Sequence, residues 1–464
     1  MTKRLLLFVA AMPAIAASLR AADLPALWAE RVKCAVAVEY VTETEVERRT
    51  TIAYGTVADA QGTIILPSAA IDLRVPAERL KDFKVYRPDD LEGSPAEYLG
   101  RDALTGWHFV RAAESIRAQL VPITAFAGGG PAREPALAEE VWGVALRNKD
   151  EDFTPYIMRS HVALVETLPQ RTAIAQQEVA GPGLPVFDGQ GRFLGIGASS
   201  FGQTFLQFSN LDRSGMPVML VNVEESSAFL VASEVIPNLG RIPRNVSGRP
   251  LAWLGAYGLE AMDRDVAVFL KLASQSGAVV SEVLEGSPAE KAGLKARDII
   301  LAIDGRPLPH FKPARVVVDY IDREIAARAP GDSVTLSVLR GTSRLEVKAV
   351  LGEEPKLVRE AARKYFERLG FTAREFVYGD AVTRHVATGA LSGFAVPFVK
   401  PNSPADIAGL KPEDWVKEID GAEINSFEAA EQKLSAIEAD PLRTEAVLLV
   451  SHGGDTAVLR IKVR

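Results

Sequence analysis

The chain has 464 residues, of which 47% are hydrophobic, 24% charged and 7% aromatic. This is the composition of a globular protein, and the length is enough for about three domains of ordinary size. The formal net charge of -7, with no long Lys/Arg run, excludes a nucleic-acid ligand because phosphates need a basic surface. One cysteine, Cys34, excludes intrachain disulfides and cysteine-based zinc sites, and the five histidines are scattered. We therefore expect no metal site and no cofactor.

The first 22 residues have the three parts of a secretory signal peptide. Lys3 and Arg4 form a basic segment, residues 5–11 are an apolar run, and small residues follow at 14–18 and again at 21–22. The apolar run is too short to span a bilayer comfortably. We expect an exported protein of the periplasm or cell envelope. An N-terminal anchor that is not cleaved is the alternative.

The next part of the chain, residues 27–239, predicts a mainly β domain. Short β-type runs are broken there by Gly, Pro and Asp clusters. These runs cover residues 36–41, 50–57, 63–66, 141–146 and 193–198. Many short strands with turn signals are typical of a β-barrel or sandwich. A helix is predicted at residues 227–236, where Pro237 stops it, and the polar stretch 240–250 predicts a linker.

The C-terminal half contains an internal repeat. Gly-Ser-Pro-Ala-Glu-Lys-Ala-Gly-Leu at residues 286–294 is matched by Asn-Ser-Pro-Ala-Asp-Ile-Ala-Gly-Leu at residues 402–410. Each copy continues into an apolar strand and an Asp-Gly turn. Each is preceded by an apolar-Gly-apolar element, and the central glycines, Gly255 and Gly370, are about 115 residues apart. The constant spacing predicts two copies of one domain.

The repeated unit resembles a PDZ domain of the bacterial protease-associated type over almost the whole of both copies. We place the two domains at residues 251–352 and 368–464. Residues 353–367 between them have apolar side chains at roughly helical intervals, which predicts a helical linker.

The resemblance implies a peptide site at each apolar-Gly-apolar element. Its glycine lets successive backbone N–H groups converge on a terminal carboxylate, and the next strand offers an edge to which a peptide adds. The residues implied are Leu254, Gly255 and Ala256 in the first copy and Leu369, Gly370 and Phe371 in the second. Helices at residues 313–328 and 427–437 are expected to line the two grooves. A closed structural module is the alternative for either copy.

Three stretches of the β-rich half are similar to landmarks of the HtrA/Deg family. They are residues 55–71, 100–110 and 180–196. This resemblance implies a mainly β fold with α+β modules, namely a trypsin-like double β-barrel followed by two PDZ domains. It also implies a homo-oligomer, or a mixed oligomer with an active relative.

In this family the landmarks carry a serine protease triad, and here the three slots hold other residues. Ala69 stands in the slot of the histidine base, Gly106 in that of the aspartate and Pro182 in that of the serine nucleophile. None of these side chains can perform its slot's role, and proline also lacks a backbone N–H for the oxyanion. The sequence therefore predicts a pseudoprotease that binds C-termini or extended segments of peptides and unfolded proteins, as a scaffold, a holdase or a regulator.

Two alternatives keep the barrel half functional in its own right. The first is a serine endopeptidase whose centre has moved, with Ser68 beside Ala69 and His108 two residues after Gly106 as candidate groups. The second is a barrel that binds peptides in its old substrate cleft. His161 lies in a β-type run and is expected to be a partly buried strand residue.

Overall fold

The structure is a computed structural model. It describes residues 24–128, 131–200, 205–208, 217–220, 227–248, 250–272, 275–388 and 391–463. The signal peptide predicted at residues 1–22 lies outside this set. In the described part of the chain, no helix is long and apolar enough to cross a membrane.

The first six strands close into a barrel in the order β1-β2-β3-β6-β5-β4. The strands are β1 (Ala35–Glu43), β2 (Arg48–Val57), β3 (Thr63–Leu66), β4 (Leu80–Tyr86), β5 (Ser94–Arg101) and β6 (His108–Ala112). β1 is an almost continuous apolar run because both of its faces are buried. Val36 and Val38 lie in the core of this barrel, whereas Ala35 and Ala37 lie in the core shared with the next one.

A second six-stranded barrel follows, in the order β10-β11-β14-β9-β8-β7. Its strands are β7 (Glu140–Leu146), β8 (Pro155–Glu166), β9 (Thr172–Ala175), β10 (Pro185–Asp188), β11 (Phe193–Ser200) and β14 (Ser227–Val231). Between β11 and β14, β12 (Phe205–Phe208) and β13 (Pro217–Leu220) pair with each other in a separate two-stranded sheet. The short helices of this half are α1 (Leu24–Arg31), α2 (Glu114–Arg117) and α3 (Ala232–Val235). The helix predicted at residues 227–236 is wrong over its first half, because β14 pairs there with β9 and β11.

The first repeat copy, here called the first module, is a small α+β unit. Its strands are β15 (Ala252–Trp253), β16 (Ala256–Tyr257), β17 (Glu260–Ala261), β18 (Ala278–Val279), β19 (Glu282–Val283), β20 (Ile299–Ile303), β21 (Arg306–Pro307), β22 (Ser333–Arg340), β23 (Ser343–Val350) and β24 (Gly352–Glu353). Its helices are α4 (Arg264–Phe269), α5 (Pro288–Lys291) and α6 (Val316–Ala326). β16 pairs with β19, and β15 pairs with β24.

The second copy, here called the second module, has one seven-stranded sheet. Its strands are β25 (Arg363–Phe366), β26 (Phe371–Glu375), β27 (Phe394–Val399), β28 (Trp415–Ile419), β29 (Ala422–Glu423), β30 (Glu445–His452) and β31 (Asp455–Lys462). Its helices are α7 (Tyr378–Thr383), α8 (Pro404–Ile407) and α9 (Phe427–Ala439).

The helical linker predicted at residues 353–367 is wrong. The chain instead makes a short 3-10 turn at Val358–Glu360 and then β25, which pairs with β26. The last residue of this strand, Phe366, is fully buried in the core of the second module, so the apolar end of the segment packs as a strand and not as a helix. Tertiary pairing has overridden the local pattern.

Contacts between side chains hold both modules against the barrels. Arg323 of α6 forms an ion pair with Glu234 of α3, and its guanidinium also donates to the carbonyl oxygen of Leu104 at 3.4 Å. Arg363 of β25 lies 3.0 Å from Glu78 in the first barrel. The cleft between the barrels and the groove of the first module therefore belong to one packed assembly.

Candidate functional site

Chain neighbours of the three predicted triad slots lie around one cleft between the two barrels. Its wall contains a chain neighbour of each slot, namely Ser68, Thr105, Trp107 and Gly183, and its volume is about 230 Å³. A Cβ atom built on Gly106 would lie 3.0 Å from the hydroxyl oxygen of Ser68. The sequence landmarks thus converge in space, as a trypsin-like arrangement requires.

Hydrogen bonds of the backbone fix the loop at the predicted nucleophile position, Pro182, through the next residue, Gly183. Gly183 has a φ of +83°, its N–H donates to the carbonyl oxygen of Gly197 at 2.7 Å, and its own carbonyl accepts from the Thr56 hydroxyl at 2.6 Å. Only glycine fits there, because a Cβ atom would lie 2.4 Å from the carbonyl oxygen of Tyr54. Pro182 itself brings neither a nucleophile nor an N–H to the cleft.

His108 is nearby, but its ring nitrogens lie against groups other than the Ser68 hydroxyl. Its Nδ1 lies 2.9 Å from the hydroxyl of Tyr98, and its Nε2 lies 3.4 Å from the backbone oxygen of Ser68. Only 2% of His108 is exposed, and burial followed by the charge of Arg101 lowers its pKa to about 4. The imidazole is therefore neutral at pH 7, and its two nitrogens face groups other than a nucleophile.

His161 lies apart from this cleft. It is half-buried in β8, where it is paired with Glu140 of β7 and its backbone oxygen accepts from Gln176 at 2.9 Å. Among the residues that the structure describes, no group of three His, Cys, Asp or Glu side chains could hold a metal ion.

The predicted loop of the first module is open. The carbonyl oxygens of Leu254 and Gly255 accept from Ala289 and Leu284 at 2.8 and 3.0 Å. The N–H groups of Leu254 and Gly255 make no hydrogen bond to the described residues. Both residues line a cavity of about 510 Å³, together with Ala256. Converging N–H groups at the end of a groove are the arrangement that captures a carboxylate.

Gly255 has a second, purely structural requirement. Its φ is +82°, and a Cβ atom on it would lie 2.2 Å from the Cβ atom of Ser287. Ser287 caps α5, accepting from the N–H of Glu290 at 3.1 Å. Gly370 and Ser403 repeat this arrangement in the second module, with a Cβ distance of 2.1 Å. The spacing of the repeat is thus explained by the packing of loop glycine on capping serine.

Helix α6 forms the opposite wall of the first groove, and residues from outside the module complete it. Ile321, Ile325 and Ala326 come from α6, while Arg101 of the first barrel and Arg359 beyond β24 also line the cavity. Burial and then the nearby charge of Arg359 lower the pKa of Arg101. The sequence analysis missed these two arginines, because only the docking of barrel and module brings them to the groove.

The second loop is occupied by the chain itself, which corrects the prediction of an open edge at Leu369, Gly370 and Phe371. The N–H groups of Arg368 and Leu369 lie 2.7 and 3.4 Å from a carboxylate oxygen of Glu438. The N–H of Gly370 donates to the carbonyl oxygen of Phe366 at 2.7 Å. β26, which begins at Phe371, pairs with β25 on one side and β27 on the other. This loop offers neither N–H groups nor an edge.

Comparisons with known proteins agree with this architecture. A family model described as PDZ domain matches residues 279–340, within the first module. The periplasmic pH-dependent serine endoprotease DegQ of Escherichia coli (strain K12) is 33% identical over 214 residues, which are 46% of this chain and 42% of DegQ. Over this part of its length, the chain is similar to an HtrA/DegP-like serine endoprotease. This confirms the predicted fold class, a double β-barrel with PDZ architecture.

A second relative gives the same result with the same limit of coverage. A probable periplasmic serine endoprotease DegP-like of Chlamydia pneumoniae is 26% identical over 257 residues, which are 54% of this chain and 50% of that protein. The chain therefore spans about half the length of the curated relatives it matches.

Solved structures of HtrA-type proteases also superpose on the chain, but weakly. The HtrA-type protease AlgW with decapeptide is 14% identical, with a TM-score of 0.47 over 71% of this chain and 98% of that one. The serine endoprotease from Yersinia pestis is 16% identical, with a TM-score of 0.45 over 72% of this chain and 98% of that one.

Proposed function

We propose that this HtrA/DegP-like chain is an exported peptide-binding pseudoprotease. Its first module would capture C-termini or extended segments of envelope proteins, so that the chain acts as a scaffold, a holdase or a regulator of an active relative. The observation that carries the proposal is the open loop of Leu254 and Gly255 at the end of a cavity of about 510 Å³. Residues 1–22 would be the signal peptide, and the chain would form a homo-oligomer or a mixed oligomer with that relative.

The residues in the protease cleft support a function without proteolysis. Serine protease chemistry needs a hydroxyl nucleophile, an imidazole that takes its proton and a carboxylate that orients the imidazole. Ala69, Gly106 and Pro182 supply none of these, and removing a triad costs on the order of 10⁶ in turnover. The cleft of about 230 Å³ between the barrels would hold an extended segment without cleaving it.

A serine endopeptidase is the second candidate function, which the names of the relatives favour. It would need a relocated centre, for which Ser68 in the cleft wall and His108 beside it are the candidate pair. The ring of His108 would have to leave Tyr98 and turn toward the Ser68 hydroxyl. Its pKa of about 4 would also make it a weak base at pH 7.

Incubation of the mature chain with unfolded casein and with a fluorophosphonate probe separates the two functions. We expect neither cleavage nor labelling, under conditions in which an active HtrA-type protease gives both. Cleavage and labelling that are both lost in Ser68→Ala would establish a relocated nucleophile and refute the pseudoprotease. Peptide capture is then tested with fluorescent peptides, of which those with a free C-terminal carboxylate should bind and their amidated forms should not.

A further inference from the structure

We propose that the second module is occupied by a built-in ligand, residues 363–366, and that its groove takes a peptide only when this segment is displaced. The segment is β25, which pairs antiparallel with β26 over four residue pairs, from Arg363 with Arg374 to Phe366 with Phe371. In the first module the strand before the loop, β15, pairs with β24 instead. That difference leaves the edge of β16 unpaired with any preceding strand.

The built-in segment runs in the direction of a bound C-terminal peptide. It is antiparallel to the strand that follows the loop and ends at the loop itself, where a peptide's carboxylate would lie. Two groups replace the two oxygens of that carboxylate. The carbonyl oxygen of Phe366 accepts from Gly370 at 2.7 Å, and the carboxylate of Glu438 accepts from Arg368 at 2.7 Å and from Leu369 at 3.4 Å.

Side chains of the segment occupy the positions that recognise a ligand. Phe366 is fully buried and its ring centre lies 5.9 Å from that of Phe371. Two residues earlier, the amino group of Lys364 lies 3.0 Å from both Glu431 and Ser435 on α9, the helix that lines the groove. A peptide able to replace the segment should therefore end in an aromatic residue and carry a basic residue two positions before it.

The segment is also fixed from outside the module. Arg363 lies 3.0 Å from Glu78 of the first barrel, and Thr372 on the paired strand donates to Glu45 of the same barrel at 2.5 Å. Displacing β25 would break the first of these contacts. Opening of the second groove is thus coupled to the docking of the second module on the barrel.

The probe for this inference is the peptide Ala-Ala-Arg-Lys-Tyr-Phe, a copy of residues 361–366 with a free C-terminal carboxylate. We would measure its binding to the full chain by fluorescence polarisation and locate it by hydrogen exchange. The opened variant combines Lys364→Glu with Glu438→Ala. The control combines Lys433→Glu with Glu428→Ala, which makes the same change of charge on or beside the same helix.

We expect the probe to bind the opened variant at least tenfold more tightly than the wild type or the control, and to protect residues 371–375. Equal affinity for wild type and opened variant at these residues would overturn the inference.

Hydrogen exchange of the wild type is a further test that needs no variant. Amides 368–370 should exchange much more slowly than amides 254–255, and equal rates would refute a filled loop. Protection of residues 254–257 by a peptide reports binding to the first groove. The proposed function, which rests on that groove, is therefore tested separately from the filling of the second one.

Discussion

The imidazole of His108 lies inside the first barrel, next to the backbone of the cleft residue Ser68. Its neighbours are Tyr98, whose pKa burial raises to about 12, and the backbone of Ser68. A histidine that is neutral when folded but charged when unfolded makes stability depend on pH. The unfolded side chain binds protons below about pH 6.5, whereas the folded one binds them only below about pH 4.

We predict that the free energy of unfolding falls as the pH drops from about 6.5 to about 4, because the unfolded state binds the extra proton in that window. The full effect of this one group is about 3 kcal/mol, and it is present above pH 6.5. Urea unfolding at pH 7, 5.5 and 4.5 measures it. His108→Gln should flatten the curve, and His161→Gln is the control for replacing a histidine elsewhere in the barrels. If both variants keep the wild-type pH dependence, His108 is not its source.

The sequence analysis could name individual residues where a motif has a fixed register. It named Ala69, Gly106 and Pro182 one by one, and their neighbours do line one cleft. It could not find Glu438, whose carboxylate reaches a loop 70 residues earlier in the chain. No local pattern marks such a residue, since an acidic side chain near the end of an amphipathic helix is ordinarily solvated.

At the scale of elements, short β-type runs between turn residues located five of the barrel strands. β3 coincides with its predicted residues, 63–66, and α9 begins at the predicted residue, Phe427. The prediction failed at residues 353–367 and at 227–236. Residues 363–366 of the first segment and 227–231 of the second form strands instead, because the edge of a neighbouring strand is available to them. That edge is a tertiary feature, which helical spacing alone does not reveal.

The ends of α6 and α9 explain why one groove is open and the other closed. Ile325 and Ile437 are the last buried residues of the two helices, and they are followed by Ala326 and Glu438. We predict that Ala326→Glu will place a carboxylate at the first loop and will weaken peptide capture there by tenfold or more. Fluorescence polarisation measures this, with the fluorescent peptides that carry a free C-terminal carboxylate.

A matched control separates charge from bulk. Ala326→Gln adds a side chain of the same length that lacks the negative charge, and it should weaken binding less than Ala326→Glu. Unchanged peptide affinity in both variants would contradict the assignment of the first loop as the carboxylate site.

At the scale of the molecule, polar side-chain contacts hold the first module against the barrels. Arg323 supplies two of them, to Glu234 and to the carbonyl oxygen of Leu104. Between the modules, the hydroxyl of Tyr378 donates to the backbone oxygen of Glu285 at 2.9 Å, and its ring packs edge-on against Trp253. Interfaces of this kind permit relative motion of domains.

We predict that Arg323→Ala will loosen the first module from the barrels, because an ion pair between partly buried partners is worth about 1 kcal/mol. Small-angle X-ray scattering should show a larger radius of gyration, and proteases should cut residues 240–250 faster. Arg315→Ala, an exposed arginine just before the same helix, is the control. An unchanged scattering curve for Arg323→Ala would mean that the docking rests on other contacts.

The single cysteine has a practical consequence for following such motions. Cys34 is 0% exposed, its thiol donates to the carbonyl oxygen of Arg31 at 2.9 Å, and burial raises its pKa. Maleimides react with exposed thiolates, so the natural thiol is protected from them. A cysteine introduced in place of Leu137 on the barrels and another in place of Leu442 on the second module, which are 67% and 86% exposed, would accept dyes without removal of the native residue. The chain is thus suited to distance measurements between labelled pairs in single molecules.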